Sequence, residues 1–551
     1  MSPVSRAPDA RRRPPGVGGA VGASGSGPRS TPYGGRVPQR LTPLEVSLLA
    51  LDTARTPGHV GTVTVLEPGP GQEKVDHAGL TVLVADRLAY VPRYRQRVVS
   101  VPGRLAAPVW IDDDDFDLSF HVRTAALPRP GTSDQLRELV GQVLARRLDR
   151  SRPLWEVLLV EGLEGGRVAV VEKTHLALVD GGDTVDLAQV LLDADLEGSL
   201  PGGAVAEWHP ALEPGPTDLV VGALWESAQD PARAVDNLRG VVAGALGVAL
   251  AVGEVVGGTL GGGLGDLAGD ALRGGRPPAG SPLAGAVSRS RRFATLRVPL
   301  ADLQAVHAAH GHTVNDVVLA VVAGGLRSWL LTRGGLGRTR TLRALVPMSV
   351  IEDEVGTSSL GVQVAPHLQD LPVGEANPLV RLHQVAYSSE AHRDSGRAVD
   401  ARTLTDIAGF APATLHVLGV RVAAQTVRRP HDVLITNVPG PQAPLYADGA
   451  RMTETFPVVP LGPGHLLAVG VTSYDGGVFF GLTADRDAID DLDVLVQCLD
   501  DSVGDLLDTT DQARRRQPTR TASPAARRAA ASKAAARAEA ARRRAAGRRS
   551  A

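Results

Sequence analysis

Apolar and polar positions alternate along the chain in two separate stretches, each mixing strand-like and helix-like periods. In the first, Val60–Leu66 (VGTVTVL), Val168–Val171 and Thr174–Leu178 read as strands, and Leu136–Arg147 has helical apolar spacing. Order is predicted to begin at Leu41-Thr42-Pro43-Leu44-Glu45. There Thr42 can N-cap a helix with Pro at its first position and Glu45 three residues on. The second stretch opens at Arg291-Arg292-Phe293 and continues with a strand (Thr295–Val298) and a helix (Ala301–Ala309). A strongly apolar helix (Val314–Leu331) follows, then strand-like runs at Leu342–Val346, Val433–Thr436, Leu466–Thr472 and Gly477–Leu482. Neither stretch keeps a strict βαβ rhythm, which points to α+β or mixed-sheet domains and away from a Rossmann fold.

The segments outside these stretches differ in composition. Residues 1–40 are rich in Pro, Gly, Ser and Arg and cannot bury enough apolar surface to order themselves. Residues 512–551 are an Ala/Arg low-complexity tail. Residues 201–285 are rich in Gly, Ala and Pro. Within them Val241–Gly253 is free of charge, but it is too short and Gly-rich to span a bilayer. A linker of poorly packed helices is expected there, with an interfacial helix as the alternative. The resulting division is a basic tail (1–40), an N-terminal domain (41–200), a linker (201–285), a C-terminal domain (286–511) and a second basic tail (512–551). A chain of 551 residues also exceeds the roughly 250–300 residues at which single cores stop growing.

Charge sharpens this division. The formal net charge is −2, yet residues 1–40 hold seven Arg against one Asp, and residues 512–551 hold thirteen Lys+Arg against one Glu. The 471 residues between them hold 38 basic and 58 acidic side chains. An acidic body between basic tails gives no sign of nucleic-acid binding by the body. The C-terminal tail reads as a solvated segment, or as one that binds anionic lipid or nucleic acid electrostatically. One cysteine, Cys498, excludes an internal disulfide framework and a Cys-ligated zinc site, and it fits a reducing cytoplasm. No apolar secretory region follows the N-terminal Arg cluster.

Chemistry concentrates at Lys173-Thr174-His175-Leu176-Ala177-Leu178-Val179-Asp180-Gly181-Gly182. A buried-looking strand runs into Asp-Gly-Gly, which forces a turn, and a histidine precedes the aspartate by five residues. A histidine in that setting is ordinarily a hydrogen-bonded structural residue, and catalysis is the alternative. Asp180 suits bonding to backbone amides or an arginine. Elsewhere, the contiguous run Asp112–Asp115 reads as a solvated loop, because it lacks the spacing that wraps a cation. The glycines around Gly261-Gly262-Gly263 lack the context of a phosphate cradle. His312 and His465 are more simply structural than catalytic. No metal site is expected.

Several motifs in order resemble the bacterial wax ester synthase/diacylglycerol acyltransferase family. They are Leu41-Thr42-Pro43-Leu44, Gly58-His59-Val60-Gly61, Pro153-Leu154-Trp155-Glu156 and the His175…Asp180-Gly181 segment. Asn315-Asp316-Val317-Val318, Thr436-Asn437-Val438-Pro439-Gly440-Pro441, Pro457-Val458-Val459-Pro460 and Ser473-Tyr474-Asp475-Gly476-Gly477 complete the series, which spans about residues 41–511. The resemblance implies two chloramphenicol-acetyltransferase-like domains with an interdomain tunnel. It implies acyl transfer from acyl-CoA to diacylglycerol or a long-chain alcohol, with no cofactor beyond acyl-CoA as co-substrate. It also implies a protein peripheral to membrane or lipid droplets.

The family motif is His-His-x-x-x-Asp-Gly, and its second histidine is the general base. Here the first position is His175 and the second is Leu176, which cannot accept a proton. Val362 stands where Leu-Gly-Asn is typical, and Ala284 where Leu-Asn is common. The resemblance thus implies Asp180 and Gly181 as the motif turn and Asn315-Asp316 as interface support, with His175 or an unassigned group as base. The alternative is a catalytically impaired member acting as a lipid-binding or regulatory protein.

Overall fold

The computed structural model describes residues 38–69, 75–178, 191–193, 208–229, 277–278, 280–337, 340–350, 363–393, 420 and 430–516. The first half begins with β1 (Gln39–Arg40), α1 (Pro43–Leu51), β2 (His59–Glu67) and α2 (His77–Arg87). It continues through β3 (Gln96–Val99), β4 (Val109–Asp112), α3 (Leu118–His121), β5 (Val122–Ala126), α4 (Ser133–Ala145), β6 (Trp155–Glu161) and β7 (Val168–His175). After α5 (Pro216–Gln229) come β8 (Arg291–Pro299), α6 (Leu300–His310), α7 (Val314–Thr332), β9 (Leu342–Val350), β10 (Gln363–Leu371) and α8 (Pro378–Arg393). The chain then forms β11 (Val433–Val438), β12 (Tyr446–Ala447), β13 (Ala450–Val458), β14 (Leu467–Tyr474), β15 (Gly477–Asp485) and α9 (Leu492–Arg516).

Local chemistry explains the element starts. Thr42 and Glu45 form a reciprocal capping box on α1, with Pro43 in the first turn. Thr132 with Gln135, and Thr313 with Asp316, cap α4 and α7 in the same way. α7 is buried all round, with thirteen of its nineteen residues in the core. It is long and apolar enough to cross a membrane, but most of its apolar window is buried inside the fold, as in the core helix of a globular domain.

Two six-stranded sheets carry the two cores, with strand orders β12-β13-β2-β7-β6-β5 and β10-β9-β11-β14-β15-β8. β5 runs parallel to β6, and β11 runs parallel to both β9 and β14; the other pairs are antiparallel. A separate small sheet has the order β1-β4-β3. α5 packs Leu219 and Ala223 against Val101, Val109 and Ile111 of that region, so part of the expected linker belongs to the first half.

The halves are not independent in sequence. β13, from the C-terminal stretch, pairs along β2 from Arg451↔Glu67 to Val458↔Gly61 and so completes the N-terminal sheet. In return, α4 lies on β8. A Cβ on Gly141 would sit 2.8 Å from the Arg291 carbonyl oxygen, so only glycine allows this approach. The Arg486–Glu138 ion pair (2.7 Å) and a bond from Arg291 to the Arg55 carbonyl also cross between halves. At the C-terminus, α9 extends through Arg516, past the residue 512 boundary expected from composition.

Candidate active site

β7 carries the sequence-predicted site at its C-terminal end. Successive side chains of a strand face opposite ways, so Lys173 and His175 share one face and Val170, Glu172 and Thr174 the other. On the first face, Lys173 Nζ donates to the Arg146 carbonyl at the end of α4 (2.9 Å) and pairs with Glu156 (3.6 Å). His175 lies beyond it, only 2 % exposed.

The His175 ring is held from both sides. The Ala177 N–H donates to Nδ1 (3.0 Å), and Nε2 faces Asp52 Oδ2 at 3.7 Å. A lone pair engaged at Nδ1 puts the ring proton on Nε2, toward the carboxylate. Asp52 also accepts from Arg147 (2.8 Å), Arg150 (2.7 Å) and the Gly58 N–H (3.1 Å). Burial opposes ionisation of Asp52, but the nearby His175 and the bonds from the two arginines outweigh it and hold the carboxyl far below its usual range. Burial pushes the His175 pKa down, and the nearby Asp52 only partly opposes this. The ring is therefore neutral at pH 7. The ring packs between the end of β7 and Asp52, just after α1.

The chain turns immediately after His175. The Leu176 N–H donates to the Gly58 carbonyl (2.9 Å), and the Leu178 N–H closes back onto the His175 carbonyl (2.9 Å). The strand expected over Thr174–Leu178 thus ends at His175, and residues 176–178 form a turn. The Leu176 side chain enters an apolar cluster with Leu48 and Val60 of the first half and Val287, Val459, Leu461 and Ala468 of the second. Position 176 therefore faces the interface between halves, and His175 faces into the N-terminal one.

Asp180 and Gly181 lie outside the described residues, as does Val362. Asn315 accepts a bond at Oδ1 from Asn437 Nδ2 (2.8 Å), which joins two of the sequence motifs across the second half. The fully buried Asp316 caps α7, accepting from the Thr313 hydroxyl (2.7 Å) and N–H (3.0 Å). Ala284 pairs with His465 in an isolated bridge, and Leu283 is fully buried. His465 stacks on His431 (4.3 Å) and donates from Nε2 to its carbonyl (3.2 Å); burial lowers its pKa to about 4. His312 packs edge-on to His383 at 5.0 Å. In the acidic run, Asp112 is bonded by Gln96 and the Ala211 N–H, and Asp113 faces Arg97. No group of three or more His, Cys, Asp or Glu suited to a metal occurs among the described residues.

The sequence did not single out Asp52, Arg147 or Arg150. Asp52 and the arginines are separated by 95 and 98 residues, so no local spacing ties them together. Nor did it single out a cavity of about 50 Å³ between the N-terminal sheet and the second half. Thr62 and Glu172 line it from β2 and β7, Met452 and Pro457 from β13, and Pro441 and Tyr474 from the second half. Thr62 Oγ1 donates to Glu172 Oε2 (3.0 Å).

Two mixed halves joined by an exchanged strand, with a buried histidine motif at their junction, define a two-domain, CoA-dependent acyltransferase-like protein. Residues 41–318 match the wax ester synthase/diacylglycerol acyltransferase catalytic domain, and residues 360–506 match the WS/DGAT C-terminal domain. The chain belongs to the wax ester synthase/diacylglycerol acyltransferase family. Among its relatives, the probable diacylglycerol O-acyltransferase tgs1 of Mycobacterium tuberculosis is 34% identical over 462 residues, covering 84% of this chain and 93% of the relative. The same organism's probable diacylglycerol O-acyltransferase tgs2 is 30% identical over 476 residues, covering 85% and 98%. The solved wax ester synthase/diacylglycerol acyltransferase from Marinobacter aquaeolei VT8 superposes with a TM-score of 0.57 at 26% identity. That match covers 86% of this chain and all of the other.

Proposed function

We propose that this protein transfers the acyl chain of an acyl-CoA to the hydroxyl of diacylglycerol or a long-chain alcohol. The hydroxyl oxygen attacks the thioester carbonyl, the C–S bond breaks, and the hydroxyl proton leaves with the CoA thiol. The products are an ester and free CoA. The carrying observation is the placement of the β7 end: His175 and its buried partners hold the 176–178 turn at the junction of the two halves. Both domains of the acyltransferase family are matched, and the relatives carry acyltransferase names. The catalytically impaired alternative gains no support from these relatives.

In this reading His175 is a positioning residue. Its lone pair is already used by the Ala177 N–H, so it has none to offer a substrate. Leu176 contributes apolar packing at the position where the family motif places its base. Holding thioester and hydroxyl together supplies much of the barrier reduction before any proton is moved. Asp180 and Gly181 keep only the motif roles expected of them from the sequence, and the Asn315–Asn437 bond supports the interface. The reaction needs no cofactor beyond acyl-CoA.

Substrates this apolar reside in membranes or droplets, so the protein works at a lipid surface, with its basic tails as electrostatic tethers. The test is expression in a bacterium that makes no neutral lipid, followed by chromatography of the lipid extract. Accumulation of triacylglycerol or wax ester is expected. An extract identical to that of the empty host counts against the function.

A further inference from the structure

The interface cavity contains a titratable group that the family motif does not assign. Of the side chains lining it, only Glu172 and Tyr474 can exchange a proton. The Tyr474 hydroxyl is engaged on both sides: it donates to the Met452 carbonyl (3.0 Å) and accepts from the Leu445 N–H (2.8 Å). Burial also raises its pKa, which keeps it protonated. Glu172 is therefore the cavity's one carboxylate among the described residues. It lies on the face of β7 opposite His175, paired across the sheet with Thr62, whose hydroxyl bonds Oε2. The walls around it bring together Pro441, Pro457 and Tyr474, one residue from each of three C-terminal sequence motifs.

We propose that the Glu172 carboxylate is the proton acceptor for the acceptor hydroxyl in this chain. The inference rests on the acyltransferase reading above and adds the group that Leu176 cannot supply. The acceptor O–H proton passes to Glu172 as the oxygen bonds to the thioester carbonyl carbon. The carbonyl then re-forms, the C–S bond breaks, and the departing CoA thiolate takes the proton back from Glu172. Ester and CoA thiol leave, and the carboxylate is regenerated. The Thr62 hydroxyl fixes the carboxylate's orientation through the first half of this cycle. Residues 172 and 176 are about 13 Å apart at roughly 3.3 Å per residue. The reacting hydroxyl accordingly sits on the Thr62 side of Leu176.

The test compares full-length wild type, Glu172→Gln and Glu172→Asp with palmitoyl-CoA and hexadecanol or diacylglycerol. Glutamine keeps an oxygen for the Thr62 bond, so folding is preserved and checked by thermal melting. Glu172→Gln is expected to lower kcat by about 100-fold or more, the usual weight of general-base catalysis. KM for acyl-CoA should move less than about threefold, and Glu172→Asp should recover part of the loss. The wild-type pH–rate profile should show no inflexion in the histidine range near about pH 6.5. Turnover by Glu172→Gln within about threefold of wild type overturns the assignment. So does a histidine-range inflexion shared by wild type and Glu172→Gln. A wild type that forms no ester at all instead removes the underlying acyltransferase reading, so the two failures are told apart by the wild-type arm.

Discussion

His175 Nε2 faces Asp52 Oδ2 at 3.7 Å, and both side chains are buried. Asp52 in turn anchors Arg147, Arg150 and the Gly58 N–H, so one carboxylate gathers three separate segments at the base of the motif turn. Removing it leaves the partly exposed Arg147 and Arg150 guanidiniums and the buried His175 ring without their acceptor. Asp52→Ala should destabilise the protein by about 1–3 kcal/mol, less than a fully buried ionic network because both arginines reach solvent. Denaturant titration checks this; a loss below about 1 kcal/mol would mean the cluster is not what ties β7 to α1.

Histidine burial sets a pH dependence. Burial lowers the pKa of His59, His121, His175 and His465, to about 4 for His121 and His465. Below about pH 6.5 the unfolded chain protonates these rings while the folded protein keeps them neutral, so acid favours unfolding. Stability should therefore fall as pH drops from 7 toward 5, each ring contributing up to about 1.4 kcal/mol per pH unit. Urea unfolding at pH 7.5 and 5.5 measures it. Equal or higher stability at the lower pH contradicts the burial argument.

Leu176→His places an imidazole in the interface cluster. It should lower stability by about 1–3 kcal/mol, the cost of a poorly satisfied buried polar group. It should leave ester formation and its pH profile unchanged, because residue 176 lies about 13 Å from Glu172 along the line of β7. A folded variant that forms ester at least about ten-fold faster, with a new limb near about pH 6.5, would show that residue 176 reaches the reacting groups and would count against Glu172.

About half of the elements were legible in the sequence, while α2, β6, β10, α8 and α9 among others were not singled out. The Thr42–Glu45 cap, the helix at 314–332 and the strands at 59–67, 291–299 and 477–485 follow from local periodicity and capping chemistry. What stayed hidden is non-local. β13 has ordinary strand composition, and nothing within Ala450–Val458 says that it pairs with β2, more than 380 residues away in sequence. The division at residue 286 consequently cuts through the N-terminal sheet. The site divides in the same way. The 175–176 pair was visible as a motif, but the Asp52–Arg147–Arg150 cluster and the Thr62–Glu172 bond exist only after the strands are paired.

That exchanged strand has a consequence for dissection. Residues 38–229 alone lack β13 and leave β2 as an open edge, with the apolar face of its sheet uncovered. This fragment should aggregate or remain protease-sensitive, and co-expression with residues 277–516 should restore soluble, protease-resistant material. A fragment that is stable by itself would show β13 to be dispensable.

Truncation at the other end should respect α9, which buries Leu506 and Thr510. Deleting residues 517–551 spares the helix and removes most of the C-terminal basic charge. The truncated protein should move from the membrane pellet to the soluble fraction at low salt. An unchanged distribution removes this tail from the account of lipid-surface binding.

The chain is expected to catalyse acyl transfer with Leu176 in place. The most direct measurement is release of CoA thiol by purified wild-type protein given palmitoyl-CoA, with and without diacylglycerol or hexadecanol, alongside quantification of the ester. Thiol release that depends on the acceptor and matches ester formed mole for mole is the predicted result. Thiol release that does not respond to either acceptor, or the absence of any ester, would contradict it.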